Sequence, residues 1–256
     1  MKWEHAKSES ENGYHRLSVE ADWAELVTDY DDIVSEYAKA RIPGFRPGKV
    51  PRNIIEKRFQ KEIIEDLSRR SAHRIGLEAV REAGIEVLGP VEAEEIECAR
   101  DQVFRATLRF HPMPTIDLPD ITSLKIDDEG GDPRDQISLR LLQLVNFDIP
   151  GDLVKGELDL DGLGETAPGD AEWQAASDRI RLMLILKQIA RQEGIEVDES
   201  DVETRIKEKA SEFGTTVEEL RSQLEKGGGR ERLKDMLLAE GTLEYITEKS
   251  QGTKGE

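Results

Sequence analysis

One cysteine, Cys98, stands among 256 residues, so no disulfide can form within the chain. In the sequence it reads as a small buried hydrophobe on a strand. Aromatic residues are scarce at 5%, against 37% hydrophobic and 36% charged residues. That is enough apolar material to fold, and it favours a helix-rich shape with much surface over one thick core. Long apolar runs are missing too. The longest, LMLILKQIA at 182–190, is too short and too interrupted to span a bilayer. The opening MKWEHAKSESENGYH lacks the apolar core of a signal peptide. Together these absences lead to the expectation of a reducing, cytoplasmic location.

Signals for chemistry are equally sparse. The four histidines, His5, His15, His73 and His111, lie far apart, without metal-ligand spacing or an evident nucleophile partner. The stretch GGGRE at 227–231 lacks the lysine-plus-hydroxyl ending and the preceding strand of a phosphate loop. Carboxylates are abundant, but no spacing selects a pair for acid–base work. The expectation is a binding protein, with no catalytic residue, no metal and no cofactor.

What the chain does have is charge, unevenly spread. Its formal net charge is -19, yet residues 39–61 carry eight cations against one acid, Glu56. The cations are Lys39, Arg41, Arg46, Lys49, Arg52, Lys57, Arg58 and Lys61. The segment is therefore +7 and the remainder of the chain -26. A cationic patch on an anionic body suits docking to one polyanion, while the body repels nucleic acid in general. The alternative is an ordinary solvated helix face.

The apolar pattern predicts an N-terminal α+β unit. Two strand-like segments flank Asn12-Gly13, a hairpin signal, and His15, Leu17, Val19 and Ala21 alternate onto one face. Asp22 and Glu25 form a capping box for a helix with Trp23, Leu26, Val27, Tyr30, Ile33, Val34 and Tyr37 in its stripe. Pro51 suits the first position of a second long helical region running through Phe59 to Val80. Two more strands follow, the second placing Phe104, Ala106, Leu108 and Phe110 on one face. Residues 1–112 thus read as about four antiparallel strands packed on two long helices. Residues 113–135 are proline-punctuated and read as an extended linker. Residues 136–256 read as an elongated all-α domain with helical arms. Its helices are capped by Asp170, Asp198 and Thr216, with Val202, Ile206, Ala210 and Phe213 in one register. The tail from Gln251 reads as frayed.

Between the first two helices lies RIPGFRPGKVP, residues 41–51. Gly44 and Gly48 permit turns that side-chained residues resist, and Pro43, Pro47 and Pro51 stiffen the backbone between them. The result is a preshaped tip that presents Phe45, Arg46 and Lys49, unless Phe45 folds back onto the helices as core.

This stretch resembles the ribosome-docking signature of the bacterial trigger factor family, chaperones that meet nascent chains at the exit tunnel of the large ribosomal subunit. FDIPGDLVKGELD resembles the segment in which that family's helical domain resumes, and LMLILKQIARQEGIEVDESDVETRIKEKASEFG resembles its long helices. The family commonly carries an FKBP-type prolyl isomerase domain between these regions. Here only KIDDEGGDPRDQ stands in that place, too short for a domain. Pro47 is a second departure, because many members have lysine there.

The resemblance implies an ATP-independent holdase without isomerase activity. Its partners would be the large ribosomal subunit (ribosomal RNA and protein) and nascent or unfolded polypeptides, with a weak homodimer away from the ribosome. It implies ribosome contact by Arg41, Gly44, Phe45, Arg46, Pro47, Gly48, Lys49 and Arg52. Client-binding candidates on the helical domain are Met183, Leu186, Met236 and Leu237, since flexible methionine suits promiscuous surfaces. Two rival readings remain: an RNA-binding ribosome assembly factor that holds no clients, and a prolyl isomerase. That family's helical domain also resembles the one of periplasmic SurA-like chaperones, a location that the opening's lack of a signal-peptide core disfavours.

Overall fold

The computed structural model describes residues 2–6, 13–46, 48–127, 131–225 and 228–252. The chain divides into two compact units, Met1–Pro114 and Thr115–Glu256, each with its own core.

The first unit is α+β. Strand β1 (Lys2–Ala6) pairs antiparallel with β2 (His15–Ala21), Lys2 opposite Glu20 and Ala6 opposite Arg16. The strands expected on either side of Asn12-Gly13 are therefore paired, and the connection through residues 7–12 lies outside the described residues. Helix α1 (Trp23–Tyr37) follows, its capping box closed by the Asp22 N–H donating to Glu25 at 3.3 Å. Helices α2 (Arg52–Arg58) and α3 (Gln60–Glu82) come next, then β3 (Val87–Glu97) and β4 (Phe104–Pro112). The sheet order is β1-β2-β4-β3. Strands β2 and β4 place Leu17 opposite Leu108, Val19 opposite Ala106 and Ala21 opposite Phe104. Because side chains alternate along a strand, these residues share one face, and all are buried. The expected alternation is met in both strands, and α3 and α1 supply the other half of that core. On the opposite face Arg105 pairs with Glu20, Arg109 with Glu92 and Glu94, and Arg16 with Glu94, so the exposed side of the sheet is charge-compensated.

Two details differ from the sequence reading. The helical region after Pro51 is broken at Phe59, whose φ of -113° departs from the helix. The Phe59 ring packs 5.1 Å from the Tyr37 ring of α1, a tertiary contact that local periodicity does not encode. Cys98 lies just past the end of β3 and is half-buried; burial raises its thiol pKa, only partly offset by Ser68.

Gly76 in α3 sets how closely that helix approaches the sheet. A Cβ there would meet Leu108 Cδ2 at 3.0 Å. Gly76→Val is expected to destabilise this unit by about 1–3 kcal/mol, as overpacking of a close-packed core does. A urea midpoint lowered without a change in slope would show it.

The second unit is all helical after a 3₁₀ turn, Ile121–Ser123. Its helices are α4 (Pro133–Leu144), α5 (Gly151–Leu160), α6 (Ala171–Glu193), α7 (Glu199–Phe213), α8 (Val217–Glu225) and α9 (Gly229–Gly252). The stretch read as a linker contributes Leu124 and Ile126 to a core that also holds Ile137, Leu141, Ile185, Leu186, Ile189 and Ile246. A second small core joins α5 to the first half of α6 through Val154, Leu158 and Ala176. A third joins α7 and α8 to the start of α9 through Val202, Ile206, Ala210, Leu220 and Leu233.

Capping agrees with expectation at Asp198 and Thr216, where Glu219 N–H donates to Thr216 Oγ1 at 3.2 Å. Asp170 differs: its carboxylate accepts from Ala167 N–H behind the helix at 2.9 Å. Phe213 differs as well. It ends α7 and is 70% exposed, with the Lys209 ammonium over its ring, 6.0 Å from the centroid. Of the tail from Gln251, residues 253–256 lie outside the described residues.

Candidate functional site

The loop between α1 and α2 is built from its ends inward. Ile42 and Val50 are both buried in the core of the first unit and pin the loop at two points. Between them the chain turns twice. Phe45 N–H donates to Ile42 carbonyl at 3.1 Å, spanning Pro43 and Gly44, with Gly44 at φ +88°. Proline second and a positive-φ glycine third is the arrangement of a type II turn. Lys49 N–H then donates to Arg46 carbonyl at 3.0 Å, with Gly48 at φ +75°. A Cβ at either glycine would meet nothing within 4 Å, so the requirement is for the backbone angle and not for space. Gly48 N–H also reaches back to the Ala38 carbonyl at 3.3 Å, closing the loop on the end of α1.

Turned in this way, the loop exposes its middle. Phe45 is 39% exposed, a large apolar ring in water between two turns. Arg41, Arg46 and Lys49 are exposed, and none makes an ion pair with another described residue. Four of the loop residues named from sequence, Gly44, Phe45, Arg46 and Gly48, are thus brought together at one tip, with Arg41 and Lys49 on its flanks. Pro47 lies outside the described residues. Arg52 is placed differently: it is the first residue of α2, and its guanidinium is committed to Asp31 and Glu56. Lys61 reaches Glu65 at 3.8 Å, and Arg58 lies over the Phe59 ring.

Beside α2 is a groove of about 900 Å³ lined by Tyr30, Glu56, Lys57, Lys61, Cys98 and Arg100, among others. Its charges are of both signs, and no nucleophile–base pair is assembled in it. Among the described residues no three His, Cys, Asp or Glu side chains are placed to hold a metal ion.

The four residues named for client contact do not form one surface. Leu186 is 2% exposed and belongs to the central core of the helical unit. Leu237 packs partly buried against the α7–α8 core. Met183 is half-buried on α6, and Met236, on α9, is 40% exposed. Exposed apolar side chains that the sequence reading left unnamed include Leu139 on α4, Leu160 at the end of α5 and Leu163 beyond it. Periodicity could not have found them, because each sits in a helix or turn whose partners are set by tertiary packing. No described helix is long and apolar enough to cross a membrane.

Comparison with known proteins relates both units to one family. The family described as bacterial trigger factor protein matches residues 1–135, and the bacterial trigger factor protein C-terminus matches residues 158–248. Only residues 136–157 separate the two matches. The chain is 32% identical to trigger factor of Mycobacterium ulcerans over 206 residues, covering 74% of this chain and 42% of that protein. It is 32% identical to trigger factor of Mycobacterium leprae over 173 residues, covering 61% and 36%. With trigger factor of Opitutus terrae the identity is 38% over 112 residues, covering 42% and 25%. The chain therefore spans less than half the length of these relatives. A solved structure, from work on promiscuous substrate recognition in folding and assembly by the trigger factor chaperone, shares the fold. It superposes with a TM-score of 0.55 at 12% identity, covering 96% of this chain and all of that one. On the family match over more than half its length, the chain belongs to the bacterial trigger factor family.

Proposed function

We propose that the chain is a ribosome-docking, ATP-independent chaperone of the cytoplasm that holds nascent or unfolded polypeptides. The observation that carries this reading is the tip itself. Two turns, each with a positive-φ glycine, hold an exposed phenylalanine beside cations that make no ion pair among the described residues, on a chain whose net charge is -19. An apolar ring flanked by free guanidinium and ammonium groups fits a mixed surface of RNA phosphate and protein. In this reading the first unit docks, and the helical unit binds clients through apolar side chains that its small cores leave uncovered, Met236 among them. Client release then follows from weak, fast binding, with no nucleotide cycle. The 22 residues between the two family matches, 136–157, are too few for an inserted isomerase domain.

The test uses the full chain. It is expected to pellet with ribosomes in a strongly salt-dependent way, since each phosphate contact releases counterions. It is expected to slow aggregation of an unfolded protein without ATP, and to leave proline-limited refolding at its uncatalysed rate. Ribosome binding without any suppression of aggregation would move the reading to an assembly factor. Accelerated refolding would show an isomerase site elsewhere.

A further inference from the structure

Arg52 stands where the loop re-enters the fold, and two of its five N–H donors are engaged there, one on each of two carboxylates. One guanidinium nitrogen donates to Asp31 Oδ1 on α1 at 2.5 Å, and Nε donates to Glu56 Oε1 on α2 at 2.7 Å. The other Glu56 oxygen accepts from Arg100, in the turn between β3 and β4, at 3.1 Å. Both guanidinium groups lie against the ring of Tyr30, at 5.8 and 5.4 Å from its centroid. Tyr30 belongs to the core of the first unit, so the cluster is seated on fixed ground. Burial alone would raise the Glu56 carboxyl. Hydrogen bonds from Arg52 and Arg100 outweigh it and hold the group below the ordinary carboxylate range.

The cluster ties α1 to α2 at the base of the loop. We propose that it is a clamp that fixes the direction in which Phe45 and Arg46 are presented, with Arg52 a positioning residue that makes no contact to the polyanion. The inference rests on the docking reading above. Turning Arg52 outward to a phosphate would abandon two carboxylates, one of them on Glu56, whose side chain is only 14% exposed. Among the described residues, Arg41, Arg46 and Lys49 make no ion pair. A loop held at its base also loses less freedom on binding, which is how preorganisation strengthens an interface.

Asp31→Asn separates the clamp from simple charge. On charge alone, removing an acid beside a loop that meets a polyanion strengthens binding. If the cluster is a clamp, the same change weakens it. The expected result is a loss of about three- to fivefold in ribosome affinity, the upper range for half-exposed ion pairs, with an unchanged salt slope. Arg52→Lys, which keeps the charge but not the fork, is expected to behave alike. Tighter or unchanged binding by Asp31→Asn, or a salt slope reduced by about one contact in Arg52→Ala, overturns the inference. A wild-type chain that fails to pellet with ribosomes overturns the docking reading by itself. Trypsin then tests the clamp alone, through cleavage after Arg41 and Lys49 under native conditions. Cleavage about three- to fivefold faster in Asp31→Asn, at unchanged thermal midpoint, supports the clamp, and an unchanged rate overturns it.

Discussion

Replacing Phe45 and Arg46 together by alanine is expected to reduce ribosome co-sedimentation to background while leaving the urea midpoint of the chain unchanged. Aromatic and arginine side chains at the centre of an interface commonly cost about 2 kcal/mol or more each when truncated. Two such losses amount to roughly a thousandfold in affinity if they add, enough to empty the pellet at ordinary concentrations. Stability should not follow, because neither side chain contributes to the core and surface changes usually stay within about ±0.5 kcal/mol. Ile42 and Val50, which do anchor the loop in the core, are untouched. Pelleting of the double variant at wild-type levels would show that the loop is not the docking element.

Gly44 and Gly48 sharpen this result from another side. Their positive φ angles are a backbone requirement with open space around them. An alanine at either position therefore reshapes the tip without removing any group that contacts the partner. Loss of docking in such a variant would implicate the shape of the loop, whereas loss only in the double variant would implicate its side chains.

The loop was legible in the sequence because its information is local. Each Pro-Gly pair specifies a turn within four residues, and a ring between two turns has little protein within reach. The same holds for the capping boxes at Asp22, Asp198 and Thr216, and for the alternation in β2 and β4. What was not legible is what depends on distant parts of the chain. The break at Phe59 depends on Tyr37, 22 residues earlier. The engagement of Arg52 depends on Asp31 and, through Glu56, on Arg100. In a count of charges Arg52 was indistinguishable from Arg46, and only the fold shows that one is committed and the other free. The helical unit poses the same difficulty. Heptad-like spacing places Leu186 and Met183 on one helix, but which of them faces the central core is decided by α4, α9 and the stretch ending at Ile126.

That distinction gives the second large effect. Leu186→Glu is expected to unfold the helical unit, because it places a carboxylate in the apolar core formed by Ile185, Ile189 and Ile246. An unpaired buried charge costs several kcal/mol, a large part of the about 5–15 kcal/mol that stabilises an ordinary domain. Its far-ultraviolet signal should drop and its suppression of aggregation should vanish. Ribosome docking should persist, since the first unit has a separate core and the loop belongs to it. Met236→Glu is the contrasting change. At 40% exposed the new carboxylate stays in water, so the thermal midpoint should move little. Holding should nonetheless weaken, because a charge at the mouth of an apolar surface must be desolvated when a client covers it. If Met236→Glu melts the unit, the residue is core and the assignment of a client surface there fails. If the variant is stable and holds clients as well as the wild type, the apolar surface lies elsewhere. Leu139 and Leu160, both more exposed than Met236, are then the next positions to carry a charge.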